Sequence, residues 1–396
     1  MARKERLLFL DGLRGLAALY VVLFHEMTVN DGIPGELSQP LHAVHAWLHI
    51  GHYSVIFFIV LSGFSLTMPV AGSAERSLRG GFRTFIGRRA RRIMPPYYAA
   101  LAFSIAVLAV SNFAARRLHL GAPVEGALEP GSVLSHLFLV HNARFEWAYR
   151  INAPLWTIAT EWQIYFVFAL VLLPIWRRAG IVATVIFGWV LGALPYYVLP
   201  SQSNFFWACP WFLGSFALGM AGAVIEFSPT LDGSWLRERF PWTIAAWVTF
   251  ALVVTAYWTF PYMAQEFTVS VFGVCLISAC ASLSRRPGSH PVVRWLCSRP
   301  VAALGTFSFS LYLIQHPILK LYEKGVLRRL HFGKNTELLF ELLVITPLLL
   351  AVSWLFAEFF EKPFTTGSTL LPVLRRHFGL APRAADPSND APRANQ

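Results

Sequence analysis

Residues 7–27, LLFLDGLRGLAALYVVLFHEM, form an apolar run long enough to cross a bilayer at roughly 20 residues per span, yet they include Asp11, Arg14 and His25. An arginine near the middle of a span costs about 2.5–3.5 kcal/mol on insertion scales, so an intramembrane charge normally faces a protein interior or a wet cavity. Arg14 and His25 stand eleven positions apart, which is three helical turns and about 16 Å along one face. One stripe therefore holds a cation at one depth and a titratable base at another. The plainer alternative is a signal-anchor whose arginine snorkels and whose histidine ends the span. The polar interruptions and the lack of a small-x-small cleavage site favour a retained span over a removed signal.

The rest of the chain is of the same kind. Of all 396 residues, 56% are hydrophobic and 14% charged, against about 45–50% and 25% in soluble domains, so the expected class is an all-α polytopic membrane protein. Apolar spans are expected at about 7–27, 54–68, 97–113, 154–176, 181–199, 205–226, 241–260, 267–284, 301–320 and 338–358, giving about ten transmembrane helices. The net charge of +12 sits mostly in short loops between spans. That placement sets orientation and argues against nucleic-acid binding; MARKER at the start places the N-terminus in the cytosol. Lys320, Lys324, Arg328, Arg329 and Lys334 fall on the outer side in this count, against the rule. Four cysteines without metal-ligand or CxxC spacing read as small packing residues.

Three further stretches carry chemistry. Between Glu75 and Tyr98, seven arginines crowd one segment against a single acid, and Arg88, Arg89, Arg91 and Arg92 lie within five positions before Pro95-Pro96. Guanidinium forks bind phosphate bidentately, so this segment is expected to form a cationic rim that docks a phosphorylated cytosolic donor. Glu161 lies in the first turns of the fourth span and should share the outer level of His25. His42, His45, His49 and His52 recur at helical spacing, but the pattern lacks HExxH and reads as an interfacial amphipathic helix, with no metal expected. The piece 132–141 is too short to cross and is expected to be interfacial or re-entrant.

In order, LDGLRGLAALYVVLFH, SVIFFIVLSGF, RRARRIMPPYY, PLWTIATEWQIY, SFSLYLIQHP and FEKPF resemble the motifs of the bacterial membrane-bound acyltransferase-3 family, over nearly the whole chain to about residue 364. The resemblance implies a ten-helix protein that passes an acyl group, usually acetyl, from cytosolic acyl-CoA to a hydroxyl, usually on an envelope glycan. It places the family's R-x10-H signature on Arg14 and His25, its RIxP motif on Arg89, Arg92 and Pro95, and its W-S/T-L-x-x-E element on Trp156, Thr157 and Glu161. The late tyrosine motif falls on Ser308, Ser310 and Tyr312, and the E-x-P ending on Glu361 and Pro363. Trp156, Ser310 and Tyr312 are thereby expected to bind substrate. The chain departs from the pattern at Ser54, Ile59 and Trp162, and carries Gln315 where the late motif usually has His, with His316 one step on. The expected organisation is a transmembrane acyltransferase domain over 1–377 and a disordered polar tail over 378–396, a stand-alone form without an appended esterase-like domain.

The chemistry stands beside the resemblance. Acyl transfer from a thioester to an alcohol needs a base near the hydroxyl, a group for the developing oxyanion and a site that excludes water. A desolvated imidazole is neutral at pH 7 and able to accept a proton, which suits His25 as general base. Glu161 could orient the imidazolium that results, as the third member of a triad does, and Arg14 could guide the donor. An acyl-histidine intermediate is the rival to direct transfer. The expected acceptor is an envelope polysaccharide, lipid-linked sugar or glycolipid, with a secondary metabolite such as a glycosylated antibiotic as alternative. A transporter would also bury charges, but should show two related halves with broken helices, and no internal repeat is found. The expected location is the bacterial cytoplasmic membrane.

Overall fold

In hydrocarbon each backbone N–H and C=O must be satisfied within the chain, so long apolar segments have little choice but helix. The computed structural model describes residues 8–31, 35–118, 128–200, 203–285, 290–323 and 332–365, and these contain helices and no strand. The expected tail from 378 lies outside the described residues, as do Lys324, Arg328 and Arg329. The helices used below are α1 (Leu8–Asn30), α2 (Gln39–Leu48), α3 (His52–Ala71), α4 (Gly81–Leu118), α5 (Pro130–Leu137), α6 (Leu155–Val198), α7 (Phe212–Phe227), α8 (Trp242–Thr259), α9 (Tyr262–Arg285), α10 (Pro291–Leu296), α11 (Arg299–Thr306), α12 (Ser308–Tyr322) and α13 (Lys334–Phe360).

Eight helical runs among the described residues are long and apolar enough to cross a membrane. One of them, α6, has 44 residues, which would span about 66 Å if straight, twice a bilayer's apolar thickness. It breaks at Gly180, whose φ of +85° and ψ of 171° only glycine adopts without strain, and so supplies two crossings. The 15-residue α12 is largely buried among the others. The protein is an all-α, multi-pass membrane protein. Large exposed side chains, among them Val182, Ile186 and Val190 on α6 and Ile244, Trp247 and Trp258 on α8, form the apolar exterior that lipid covers.

One local expectation is corrected and a second is refined. The arginines before Pro95-Pro96 do not sit in a loop: α4 runs from Gly81 through both prolines to Leu118. Prolines remove backbone donors but are tolerated in membrane helices where neighbouring groups meet the freed carbonyls. Arg88, Arg89 and Arg92 therefore project from a rigid rod. The piece 132–141, expected to be interfacial or re-entrant, turns one face into the bundle: Ser132, His136 and His141, with Asn142 and Asn152 after them, are fully buried, while Leu134, Phe138 and Val140 stay exposed. The next two residues of the RIMPPYY motif hold it there. Tyr97 Oη donates to the His136 carbonyl at 2.8 Å and Tyr98 Oη to the Leu137 carbonyl at 2.8 Å, satisfying groups that the end of α5 leaves open. Asn152 donates to Ser104 Oγ at 3.0 Å and to the Leu313 carbonyl at 2.9 Å, tying the segment to α4 and α12.

The core pair is α3 against α7. A Cβ on Gly219 would lie 2.1 Å from the Val60 carbonyl oxygen, so the two helices touch backbone to backbone, as small residues permit in membrane packing.

Candidate active site

A cavity of about 450 Å³ opens between α1, α3, α4, α6 and α12. Its walls carry Arg14, Arg79, Arg88, Arg89 and Arg92, and one carboxylate, Glu161. Five guanidiniums around one acid, in a site partly removed from water, make a receptor for an anion. Ser77, Leu78 and Arg79, from the turn before α4, also line it, which puts its mouth on the face where α1 and α4 begin.

The individual guanidiniums differ in what they already hold. Arg14 donates to Ser65 Oγ on α3 at 2.5 Å and to Asp11 Oδ1 at 3.3 Å. Arg88 donates to the Arg79 carbonyl at 3.1 Å, pinning the rim to the turn before it. Arg89 keeps a buried Nε without an acceptor among the described residues. A buried, unmet N–H of a cation costs stability unless a ligand satisfies it. Arg91, on the far side of the helix, is exposed and is not part of the lining.

The inner end of the cavity is built by α12. Glu361 accepts from Ser310 N–H at 3.2 Å and from Ser310 Oγ at 2.6 Å, so its carboxylate caps the first turn of that helix, where the backbone donors are unpaired. The Ser310 hydroxyl is thereby occupied and buried, and it is Ser308 that lines the cavity. Tyr312, two residues further along, reaches the cavity and exchanges a hydrogen bond of 2.8 Å with Thr157 Oγ1 on α6. Trp156 points elsewhere, its ring stacked against Phe212 with centroids 5.9 Å apart.

His25 stands beyond this chamber, outside the lining residues. Its ring meets Phe24 at 5.3 Å and His316 at 6.3 Å between centroids, and its Nδ1 is buried with no partner among the described residues. His316 is one turn along α12 from Tyr312, so a single helix leads from the chamber to His25. The shift of the histidine by one position in the late motif thus still ends beside His25.

Glu161 is not at the level of His25. It lies among Arg14, Arg89 and Tyr165, and no hydrogen bond joins it to His25. The physical reason is the burial of 130–154: α6 starts inside the protein, and Glu161, two turns later, meets the arginines. Three side chains in this chamber were absent from the expected site. Arg79 belongs to the same basic run but was separated from the cluster by sequence distance. Tyr165 stands one turn after Glu161 and bonds Ser62 Oγ at 3.5 Å, a spacing that i,i+4 reasoning could have found. Ser65 had no signal at all in one sequence.

The acyltransferase-3 family model, described as an acyltransferase domain, matches residues 7–358. The peptidoglycan O-acetyltransferase OatA of Listeria monocytogenes is 24% identical over 330 residues, covering 79% of this chain and 49% of that protein. YrhL of Bacillus subtilis, whose name assigns it the same activity provisionally, is 26% identical over 333 residues, covering 79% and 48%. The chain thus spans about half the length of these relatives. No solved structure matches it. With a bundle of membrane-crossing helices, an arginine-lined chamber and a family match over residues 7–358, the chain belongs to the acyltransferase-3 family.

Proposed function

We propose that this protein is an O-acyltransferase of the bacterial cytoplasmic membrane that moves an acyl group, acetyl in the first instance, from cytosolic acyl-CoA to a hydroxyl of envelope carbohydrate. The observation that carries the donor side is the chamber in which Arg14, Arg79, Arg88, Arg89 and Arg92 surround a single carboxylate. Coenzyme A brings phosphates, and the unmet Nε of Arg89 offers one of them a charge-assisted hydrogen bond. The mouth of the chamber lies where α1 and α4 start, the side that the arginine excess assigns to the cytosol. The relatives' names support a peptidoglycan hydroxyl as acceptor, approaching from the end of α1 that bears His25.

His25 acts as general base. It takes the proton of the acceptor hydroxyl as that oxygen attacks the thioester carbonyl; the C–S bond then breaks, and the leaving thiolate takes that proton from the imidazolium, which returns His25 to its neutral form. Thr157 and Tyr312, hydroxyls at the inner end of the chamber, are placed to steady the carbonyl oxygen. Glu161 balances the arginine charge and positions Arg14 and Arg89. Its neighbours support that role in place of orienting His25.

The test separates binding from chemistry. Arg89→Ala and Arg92→Ala should weaken binding of acetyl-CoA by about 10- to 100-fold in detergent-purified protein, as expected for lost charge-assisted hydrogen bonds. His25→Ala should bind acetyl-CoA normally and transfer nothing to muropeptide acceptors. Unchanged dissociation constants in both arginine variants, or wild-type transfer by His25→Ala, would overturn the reading.

A further inference from the structure

Away from the chamber, three side chains converge at the opposite end of α1. Asp31 follows its last turn, His45 lies on α2, and His49 directly follows α2. His45 Nε2 is 2.8 Å from Asp31 Oδ1, and His49 Nε2 is 3.4 Å from Asp31 Oδ2. The two imidazoles stack with centroids 5.0 Å apart and planes 26° from parallel. One ligand-type atom from each residue falls within 4.8 Å of the other two.

We propose that Asp31, His45 and His49 form a binding site for a divalent transition metal of the zinc class, with water in the remaining position. Zinc bonds of about 2.0–2.1 Å in a tetrahedron set neighbouring ligand atoms about 3.3 Å apart, which the present spacings bracket. Two imidazoles and a carboxylate are a borderline donor set, suited to zinc and its neighbours and poorly suited to magnesium or calcium. The helical stripe of histidines supplies the i,i+4 pair. The third ligand arrives from α1, a contact across the fold that spacing could not disclose.

The frame is held without the ion. Asp31 N–H donates to the Met27 carbonyl at 2.9 Å, keeping the carboxylate at the end of α1. Tyr20 Oη donates to the Trp47 carbonyl, and Ser38 N–H donates to Asn335 Oδ1 at 2.9 Å, so α2 is fastened at both ends. The side chains remain 39%, 15% and 39% exposed for Asp31, His45 and His49, enough for an ion to enter from solvent. The Phe24 ring meets His49 at 6.1 Å and His25 at 5.3 Å between centroids, so it touches both the cluster and His25. Of the stripe's other members, His52 has left for α3, where its Nε2 bonds Glu266 at 2.6 Å, and His42 stays on α2 outside the cluster.

The full chain, purified without a histidine tag, is titrated with zinc against a chromophoric chelator. One equivalent should bind with a micromolar or tighter dissociation constant, and cobalt in its place should give the intense visible bands of a four-coordinate site. Asp31→Asn and His45→Gln should each weaken zinc binding by at least about tenfold, since each removes a ligand, while His42→Gln should leave it unchanged. A rise in thermal midpoint on adding zinc should be seen in wild type and in His42→Gln and be lost in the two ligand variants. Equal zinc affinity in wild type and both ligand variants, or no saturable binding in the folded wild type, would remove the site.

Discussion

Glu361 sits outside the chamber, yet it fixes the first turn of the helix that closes it. Its carboxylate holds the Ser310 N–H and hydroxyl together, and the same helix places Tyr312 on the chamber and His316 beside His25. Glu361→Ala should cost about 0.5–2 kcal/mol, the usual range for losing a helix cap, read as a lower midpoint in thermal unfolding. Glu361→Gln keeps an acceptor for Ser310 and should recover most of the loss. Equal midpoints for wild type and Glu361→Ala would show that the cap is immaterial. At this scale the sequence was most informative where chemistry is rare in its surroundings. Arg14 among leucines announces itself, whereas Ser65, its partner on α3, resembles any other serine in a span.

At the scale of elements, hydropathy finds segments and says little about contacts. The crossings were visible as apolar runs because lipid demands about 20 such residues each, and the break at Gly180 was visible through Arg177-Arg178 before it. The descent of 130–154 into the bundle was not, because it depends on Tyr97, Tyr98 and Asn152 meeting backbone groups far away in sequence. The α3–α7 contact is of the same hidden kind and makes a sharp prediction. Gly219→Ala puts a methyl against the Val60 carbonyl in a joint with no side chain able to yield, and should destabilise by about 1–3 kcal/mol. Thermal unfolding in detergent measures this, and a midpoint matching wild type would show that the helices can part at little cost.

At the scale of the whole molecule, the buried segment before α6 contributes to how the fold responds to acid. His136 and His141 stack with centroids 3.8 Å apart, and burial pushes their imidazoles down to about 4 and about 3. In the unfolded chain both titrate near the ordinary 6.5. Between those values the unfolded state binds more protons, so stability is full above about pH 6.5 and declines as the pH falls toward 4. Thermal midpoints recorded from pH 8 to 4 should therefore be flat and then drop, and the drop should shrink in a His136→Gln, His141→Gln double variant; an identical pH profile in that variant would assign the acid response elsewhere. The arrangement of α12 has a further consequence for traffic. With Tyr312 at the chamber and His316 at His25, about one helical turn separates the two ends of the proposed reaction. In the proposed direct transfer the donor's thioester and the acceptor's hydroxyl would meet across that gap, so neither the coenzyme nor the acceptor would have to cross the whole bilayer.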